Sequence, residues 1–474
     1  MKSKYIILLF SVLTLTACND WLDINNDPNN PVEVTPDRIL PATQVNTAFI
    51  LGKDLNLQTL AIVQHLAGTN NQLLSYDTYF FNGTEADNVW LGIYAGALQD
   101  LKKIEDISAE NGDVFFGAIA KIQGAFLFGL TTDLYGDIPF SQSLQDIDIV
   151  APEFDSQENI YGGVISMLES AVTDLGSSDL GVNPGASDLV YGGSVDQWLR
   201  LAKSLQLKFW IQQRKINASG AAAAINALIA EGELLEGNGD NFSVPFGTTN
   251  GNQHPLYDFA FNRRPGDIAI SQRFIDSLKA TSDPRLDVYF KDQGQGDYLG
   301  YDNGGTAAPP LLAQRAVLGT FPVGDNGEAS QRLYTYYTQQ FYLAEAAITL
   351  GTNGDARAYF EDAMAAALGE AGVSDGEAAA YISTRLAAYD AAGSDEERLS
   401  IVMRDKWVSN LANGVEAFND WRRTGYPQLI PSTTPGTPDG SIPVRLLYSS
   451  NELSSNPNLE NQSQLIDPVW WDVD

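Results

Sequence analysis

Amphipathic stretches with marked ends constrain the fold of this chain more than any other sequence feature. Ser194 stands three residues before Gln197, which is the spacing of a capping box, and apolar residues then recur on one helical face. Ser394 and Glu397 repeat this device before a second amphipathic stretch, and the Asn-Gly pair ending at Gly414 predicts a left-handed stop after it. The sequence therefore predicts helices with defined ends in both halves of the chain.

Two further patterns predict how such helices pack. Residues 114–130 are almost entirely apolar, and Gly117 recurs seven positions later as Gly124, so a neighbouring helix can approach closely. Residues 334–350 and 356–368 form a pair of helical patterns joined by a Gly-Thr-Asn-Gly turn. We predict a mostly α fold, one large domain on a scaffold of tetratricopeptide-like helix pairs.

Irregular segments interrupt these helices. Residues 237–267, 292–328 and 424–461 are dense in Gly, Pro, Asn and Asp, at lengths that compact domains usually reserve for functional loops. Residues 18–45 are also rich in Asn, Pro and Asp and are predicted to form a spacer, with the folded body at 46–474.

The N-terminus is typical of a bacterial lipoprotein signal. A short basic start precedes an apolar run that ends in Leu-Thr-Ala before Cys18, and this run is shorter than the ~20 residues that a bilayer-spanning helix needs. Cys18 is the only cysteine of the chain, so disulfides within the chain are excluded. We predict a signal peptide at 1–17 and a lipid on Cys18.

Charge excludes one class of partner. The chain carries 28 basic and 60 acidic residues, a net charge of −32, whereas binding to nucleic acid needs clustered cations. The 44% hydrophobic content is that of a folded globule, and the acidic excess is most simply explained by solubility.

Catalytic and metal-binding patterns are missing from the sequence. His65 and His254 are its only histidines and lie far apart, so no familiar zinc or haem ligand set can be assembled. A calcium-loop-like start at Asp23 fails at Pro28, where that loop needs Gly. We predict no enzyme, metal or cofactor, although chance carboxylate pairs leave a glycoside hydrolase open.

Aromatic residues grouped with polar ones in the loops are the candidate ligand-binding residues. Aromatic faces stack on the C–H faces of sugars, and nearby amide and guanidinium groups can orient hydroxyls. The alternative is that these rings only pin loops to the core. The candidates are Tyr76, Tyr79, Phe80, Phe81, Asn82, Asn262, Arg263, Arg264, Tyr298 and Tyr301.

Several ordered motifs resemble the SusD/RagB family of outer-membrane nutrient-binding lipoproteins, in particular its SusD-like subgroup. They include Leu-Asp-Ile-Asn-Asn-Asp-Pro-Asn after the lipid site and Phe-Asn-Asp-Trp-Arg-Arg-Thr-Gly-Tyr-Pro near the C-terminus. The motifs span residues 22–29, 132–140, 282–286, 341–346, 406–407, 414–427 and 442–448.

The resemblance implies a helical protein with four tetratricopeptide-like pairs on the cell surface, tethered to the outer membrane by its N-terminal lipid. It also implies that the protein captures an oligosaccharide and acts as the lid of a SusC-like TonB-dependent transporter. Glycan-binding members often expose Trp in the site, whereas the Trp residues here mostly fall in helical patterns or motifs. Tyr and Phe would have to form the platform, which leaves peptide capture open.

Overall fold

Helices follow one another along most of the chain, and the strands between them are short. The computed structural model describes residues 34–145 and 147–473. The α-helices are α1 (Pro36–Ile50), α2 (Asn56–Ile62), α3 (Asn71–Asp77), α4 (Asp87–Leu91), α5 (Gln99–Asn111), α6 (Val114–Tyr135), α7 (Gln157–Leu175), α8 (Val195–Gln212), α9 (Ala218–Glu231), α10 (Pro255–Tyr257), α11 (Gln272–Ala280), α12 (Leu286–Tyr289), α13 (Thr320–Val323), α14 (Tyr336–Leu350), α15 (Ala356–Glu370), α16 (Asp375–Ala391), α17 (Asp395–Ser409), α18 (Gly414–Thr424) and α19 (Ser450–Ser455).

Shorter elements fill the connections. The strands are β1 (Leu66–Gly68), β2 (Ile138–Pro139), β3 (Phe154–Asp155), β4 (Phe242–Val244), β5 (Ile268–Ile270), β6 (Phe290–Lys291), β7 (Val317–Leu318) and β8 (Gln331–Tyr334). The π-helical and 3₁₀ turns are Leu51–Leu55, Gly92–Leu98 and Asp258–Arg263, and Gly83–Glu85, Gly185–Ser187, Asn238–Asp240 and Leu312–Gln314.

Polar caps begin the helices where the sequence predicts them. The Ser194 hydroxyl accepts a hydrogen bond from the Gln197 amide at 3.4 Å, and the Ser394 hydroxyl accepts one from the Glu397 amide at 3.2 Å. Each cap satisfies one of the amides that a helix start leaves without an intrahelical partner. The predicted starts of α8 and α17 are confirmed.

The end of α17 differs from the prediction. The left-handed residue after it is Ala412, with φ of 68°, and Gly414 is the first residue of α18. A Cβ atom on Gly414 would lie 2.3 Å from Thr59 Oγ1. Glycine is therefore needed here because α18 approaches α2 closely, not because the chain turns.

Consecutive helices pack as hairpins. The chain pairs α5 with α6, α8 with α9, α14 with α15 and α16 with α17, and α6 also packs along α7. Short connections make such neighbours antiparallel. The predicted pair at 334–350 and 356–368 is α14 with α15, and the mostly α prediction is confirmed. One large apolar cluster joins these helices.

Helix α6 is the centre of this core. It is long and apolar enough to cross a membrane, but 83% of its most apolar window is buried inside the protein, as expected of a core helix. Its small residues admit close neighbours, as predicted. A Cβ atom on Gly124 would lie 3.1 Å from Met167, and one on Gly129 only 2.2 Å from the Phe209 ring.

Within residues 34–145 and 147–473, four antiparallel two-stranded ribbons connect separate segments of the chain. Strand β1 pairs with β5, placing Leu66 opposite Ile270, and β6 pairs with β7, placing Phe290 opposite Leu318. These two ribbons bring the 260–270 and 292–318 segments next to the end of α2.

The N-terminal boundary also differs from the prediction. The sequence assigns residues 36–45 to the spacer, but they form most of α1, and Leu40 is fully buried. Pro36 at the first helical position predicts such a start, because its fixed φ suits a helix and its missing N–H costs nothing there. The lipidation site predicted at Cys18 lies outside the described residues.

Charged side chains also enter the core. Arg423 donates from Nε and Nη2 to the two carboxylate oxygens of Glu345, both at 2.7 Å, and again from Nη2 to Asp420 at 2.7 Å. Lys406 donates to Asp420 at 2.8 Å, and Lys208 pairs with Glu416 beside it. We call Lys208, Glu345, Lys406, Glu416, Asp420 and Arg423 the central charge network.

In this network, burial and ion pairing shift the pKa values of the charged groups in opposite directions. Burial alone would raise the pKa of Glu345, but the guanidinium of Arg423 outweighs it and holds that pKa at about 2. Burial lowers the pKa of Lys406 to about 8, and Asp420 limits the fall. All members of the network except Lys208 belong to the motifs that carry the family resemblance, so the motifs 341–346, 406–407 and 414–427 build the scaffold.

A second buried group lies between α12 and α17. Arg285 is fully buried and donates from Nε and Nη2 to the two oxygens of Asp283, at 2.9 and 2.7 Å. Burial would raise the pKa of Asp283, but Arg285 and then Arg404 bring it down to about 2. The 282–286 motif is thus also structural.

Candidate binding site

Two of the predicted aromatic residues are packing residues. Tyr76 and Tyr79 are each 3% exposed. Tyr76 stacks on Phe81 with ring centroids 5.0 Å apart, and the Tyr79 hydroxyl accepts a hydrogen bond from the Ser432 amide at 3.2 Å. Burial raises the pKa of Tyr79 to about 12. Their faces are covered, so they cannot form the predicted stacking platform in this structure.

Phe80 and Asn82 face solvent beside them. Phe80 is 59% exposed, and its ring lies so close to Gly436 that a Cβ atom there would come within 2.9 Å of it. Asn82 caps the turn Gly83–Glu85, since its side-chain oxygen accepts a hydrogen bond from the Thr84 amide at 3.0 Å. Phe80 is therefore the exposed aromatic of this segment.

The Tyr pair of the second loop is also tied down. Tyr301 is 8% exposed, and its hydroxyl donates to the carbonyl oxygens of Gly305 at 2.8 Å and Ala307 at 2.7 Å. Tyr298 is half-buried and donates to Asp287 at 2.6 Å. Both rings fix the course of the 298–307 segment, so Tyr301 is likewise corrected from platform to packing residue.

Asn262, Arg263 and Arg264 are exposed at the end of the turn Asp258–Arg263. Asn262 donates to Gln253 at 2.9 Å, and Arg263 pairs with Asp258. Arg264 has no ion pair within residues 34–145 and 147–473. These side chains border a pocket at residues 260–318 without lining it.

Asp77 joins the two loop regions. It accepts hydrogen bonds from the Asn303 side chain and, at 2.6 Å, from the Gly304 amide. Burial raises the pKa of Asp77 to about 7, although the bonds from Gly304 and Asn303 oppose the shift. The sequence predicted no role for Asp77, because its partners lie more than two hundred residues away along the chain.

Other cross-links complete one surface. Arg273 donates to the Ile430 carbonyl at 2.7 Å and to the Asn303 carbonyl at 3.3 Å, and the Gly436 amide donates to the Thr78 carbonyl at 2.7 Å. Segments 78–83, 262–270, 299–318 and 428–437 therefore form a continuous surface, which we call the loop face. Its exposed large apolar side chains are Phe80, Leu299, Leu311, Leu312 and Ile430.

A pocket of about 400 Å³ opens at this face. Side chains from residues 260–270 and 312–318, together with Gln293, line it. Most are apolar, including Phe261, Ile268 and Leu312, and none of these lining residues is acidic. We call this the 260–318 pocket. Sequence reasoning placed candidates around it but missed the residues inside it.

Arg315 is the one charged residue among those that line this pocket. It donates from Nε to the Pro310 carbonyl at 2.8 Å, and from Nη1 to Thr69 Oγ1 at 2.9 Å and the Ile268 carbonyl at 3.1 Å. A usable signal was present in the sequence, since Arg315 follows an apolar run inside an otherwise polar loop.

The histidines offer no catalytic or metal site. His65 packs against the rings of Phe274 and Trp407, and His254 contacts Gln331 at 3.0 Å. Burial lowers the pKa of both to about 3, so both are neutral near pH 7. Across residues 34–145 and 147–473, no group of three His, Cys, Asp or Glu side chains could hold a metal ion.

Comparison with known proteins decides the family. Residues 28–449 match the SusD-like family described as "Starch-binding associating with outer membrane". The chain belongs to the SusD-like family. No curated protein matches the sequence.

Solved structures show the same fold. A chitin-binding protein has 24% identity and a TM-score of 0.80, covering 93% of this chain and 100% of that one. A SusD homologue from Bacteroides uniformis has 20% identity and a TM-score of 0.80, covering 92% and 99%. A chitin-binding SusD homologue from Flavobacterium johnsoniae has 22% identity and a TM-score of 0.78, covering 92% and 99%. The tetratricopeptide-like scaffold of this SusD-like protein is thus confirmed.

Proposed function

We propose that this SusD-like protein captures oligosaccharides at the outer membrane surface and delivers them to a SusC-like TonB-dependent transporter. The observation that carries the proposal is the family match over 28–449, whose description names starch binding and the outer membrane. Two solved structures of the same fold are described as chitin-binding. The loop face is the candidate surface, since Phe80 and Leu311 are exposed on it and the 260–318 pocket opens at it.

Binding rather than catalysis fits this surface. Glycoside hydrolysis needs two carboxyl groups about 5 to 10 Å apart across the bond. The residues that line the 260–318 pocket include no Asp or Glu. A glycoside hydrolase at this pocket would release reducing ends from any polymer that the protein binds, and prolonged incubation without such release would exclude it.

Affinity electrophoresis in gels that contain neutral polysaccharides tests glycan capture. We expect at least one polymer, with soluble chitin derivatives included in the panel, to retard the wild-type chain. Phe80→Ala and Leu311→Ala should reduce this retardation. Leu91→Ala is the matched control, because Leu91 is equally exposed but lies outside the loop face. No retardation by any polymer would refute glycan capture.

Peptide capture with the same kind of transporter is the second candidate. The aliphatic lining of the 260–318 pocket favours it, since apolar side chains of a peptide would fill such a site. Calorimetry with mixed peptides against mixed oligosaccharides separates the two functions, because only one mixture should release heat on binding.

Lipid on Cys18 would keep the protein beside its transporter. Helix α1 begins at Pro36, so the tether comprises at most residues 19–35, which can span no more than ~3.3–3.6 Å per residue. We expect Cys18→Ala to fold and bind ligand but to leave the cell surface. Full surface retention of this variant, measured by protease accessibility on intact cells, would refute the lipid anchor.

A further inference from the structure

The 260–318 pocket contains a buried cation without a counter-charge. Arg315 is 6% exposed, and no carboxylate oxygen lies within 4 Å of it in residues 34–145 and 147–473. The fully buried Arg285 and Arg423, in contrast, each pair with two carboxylates. In a chain with 60 acidic and 28 basic residues, acids to pair with Arg315 are not scarce.

The hydrogen bonds of Arg315 fix its orientation and leave one edge free. Nε and Nη1 donate to the neutral oxygens of Pro310, Thr69 and Ile268, whereas Nη2 has no hydrogen-bond partner in the described parts of the chain. Burial lowers the pKa of Arg315, and the Tyr301 hydroxyl only partly opposes the shift. The guanidinium is therefore oriented before any ligand arrives.

Two other buried arginines differ from Arg315. Aromatic rings cover both Arg422 and Arg445, and the carboxylates of Asp472 and Asp133 act on the charge of Arg422. Arg422 lies over Trp471 at 4.6 Å, and Arg445 lies over Tyr448 at 5.2 Å. Neither lines the 260–318 pocket, so a counter-charge from a ligand in this pocket can reach Arg315 alone of the three.

The rest of the pocket defines what else the ligand carries. Ile268, Ile270, Leu312 and Leu318 offer no hydrogen-bonding side chains, and Gln293 is the only other polar residue of the lining. A fully hydroxylated sugar ring seated there would leave hydroxyl groups without partners, which is unfavourable. An acyl or alkyl group suits this surface better.

We propose that the 260–318 pocket is a subsite for an acidic sugar unit that carries an acyl group. Its carboxylate pairs with Nη2 of Arg315, and its acyl group contacts the aliphatic side chains of Ile268 and Leu312. This inference rests on the proposed function and specifies the glycan class. A guanidinium edge and a carboxylate make a charge-assisted hydrogen bond, which is stronger than a neutral one.

Calorimetry on the full-length chain purified in detergent tests the subsite. The probe is the methyl glycoside of N-acetylneuraminic acid, compared with its own methyl ester, which keeps the shape and removes the charge. We expect the acid to bind at least about tenfold more tightly than the ester. Arg315→Gln should abolish that difference, whereas Arg357→Gln, which replaces an exposed arginine outside the loop face, should leave it intact.

Arg315 also holds loop segments together, so its replacement alone could disturb the site. Ala313→Trp fills the pocket and leaves Arg315 in place, because Ala313 is an exposed lining residue. Ala308→Trp, on the same loop outside the pocket, is the matched control. We expect the first variant to lose binding of the acid and the second to retain it, with unchanged thermal unfolding in both.

Each alternative result has a distinct meaning. Equal binding of acid and ester, or a preference that survives in Arg315→Gln, overturns the subsite. Binding of N-acetyl-leucine with no binding of the sugar acid also overturns it and assigns the pocket to a peptide terminus. If neutral polysaccharides are still bound in these cases, glycan capture stands, and if no saccharide is bound, both proposals fail.

Discussion

The central charge network and the loop face differ in how their buried cations are paired. In the network, every cation has a carboxylate partner, as in the pair of Arg423 with Glu345. Arg273, beside the loop face, and Arg315, on it, donate instead to backbone carbonyls and a hydroxyl. The charges of the central charge network are thus matched within the chain, whereas no carboxylate pairs with Arg273 or Arg315 in the described residues. The difference separates residues that hold the fold from residues that can bind.

Breaking the network should have the largest effect on stability. Arg423→Ala leaves the buried carboxylates of Glu345 and Asp420 short of their partner, and we expect the free energy of unfolding to fall by about 3–5 kcal/mol. Urea unfolding followed by circular dichroism measures it. The control is Arg357→Ala, which breaks an exposed ion pair with Asp390 and should change stability far less. Equal losses of unfolding free energy in the two variants would contradict the difference between the buried and the exposed ion pairs.

Low pH should destabilise the protein through its buried carboxylates. The pKa values of Glu345 and Asp283 are about 2 in the folded protein, below their ordinary values of 4.5 and 3.8. Their stabilising contribution is therefore complete above about pH 4.5 and is lost as the pH falls towards 2. The melting temperature should drop over this window, and Glu345→Gln should flatten the drop. A melting temperature that stays constant from pH 5 to about pH 2 would contradict the low pKa values.

Packing around α6 should give an intermediate effect. In Gly129→Ala the new methyl group meets the Phe209 ring, and we expect a loss of about 1–3 kcal/mol in unfolding free energy. Gly162→Ala is the matched control, since this helical glycine has open space around its Cβ position. There the better helix propensity of Ala should add up to about 1 kcal/mol. A loss at both sites would mean that crowding at Phe209 is not the cause.

The loop face should show the smallest change in stability. Phe80→Ala removes an exposed ring, and we expect unfolding free energy to change by no more than about 0.5 kcal/mol while retardation by bound polysaccharide decreases. Tyr79→Ala should instead lower the free energy of unfolding and leave the retardation unchanged, because the buried Tyr79 hydroxyl accepts a hydrogen bond from the Ser432 amide. If Phe80→Ala destabilised the protein as strongly as Tyr79→Ala, the two residues would not separate binding from packing.

Much of the scaffold could be predicted because its signals are local. The caps at Ser194 and Ser394 act on amides within three residues, and the apolar pattern of α14 and α15 repeats within a few turns. The start of α1 at Pro36 was missed because Asn, Pro and Asp dominate the preceding stretch. The sequence indicated the segments around the candidate site but not which of their residues are exposed. Phe80 is exposed, whereas Tyr76, Tyr79 and Tyr301 are buried.

The sequence by itself determined the helices, their caps and the family motifs, because propensity, capping and periodicity act between neighbours along the chain. Only the tertiary structure decided which loop residues face solvent. Tyr79 is covered by Ser432, and Arg315 is fixed by Thr69, partners that lie hundreds of positions away. No local pattern encodes such contacts, since burial depends on the segment that packs on a residue. The free guanidinium edge of Arg315 is the clearest case.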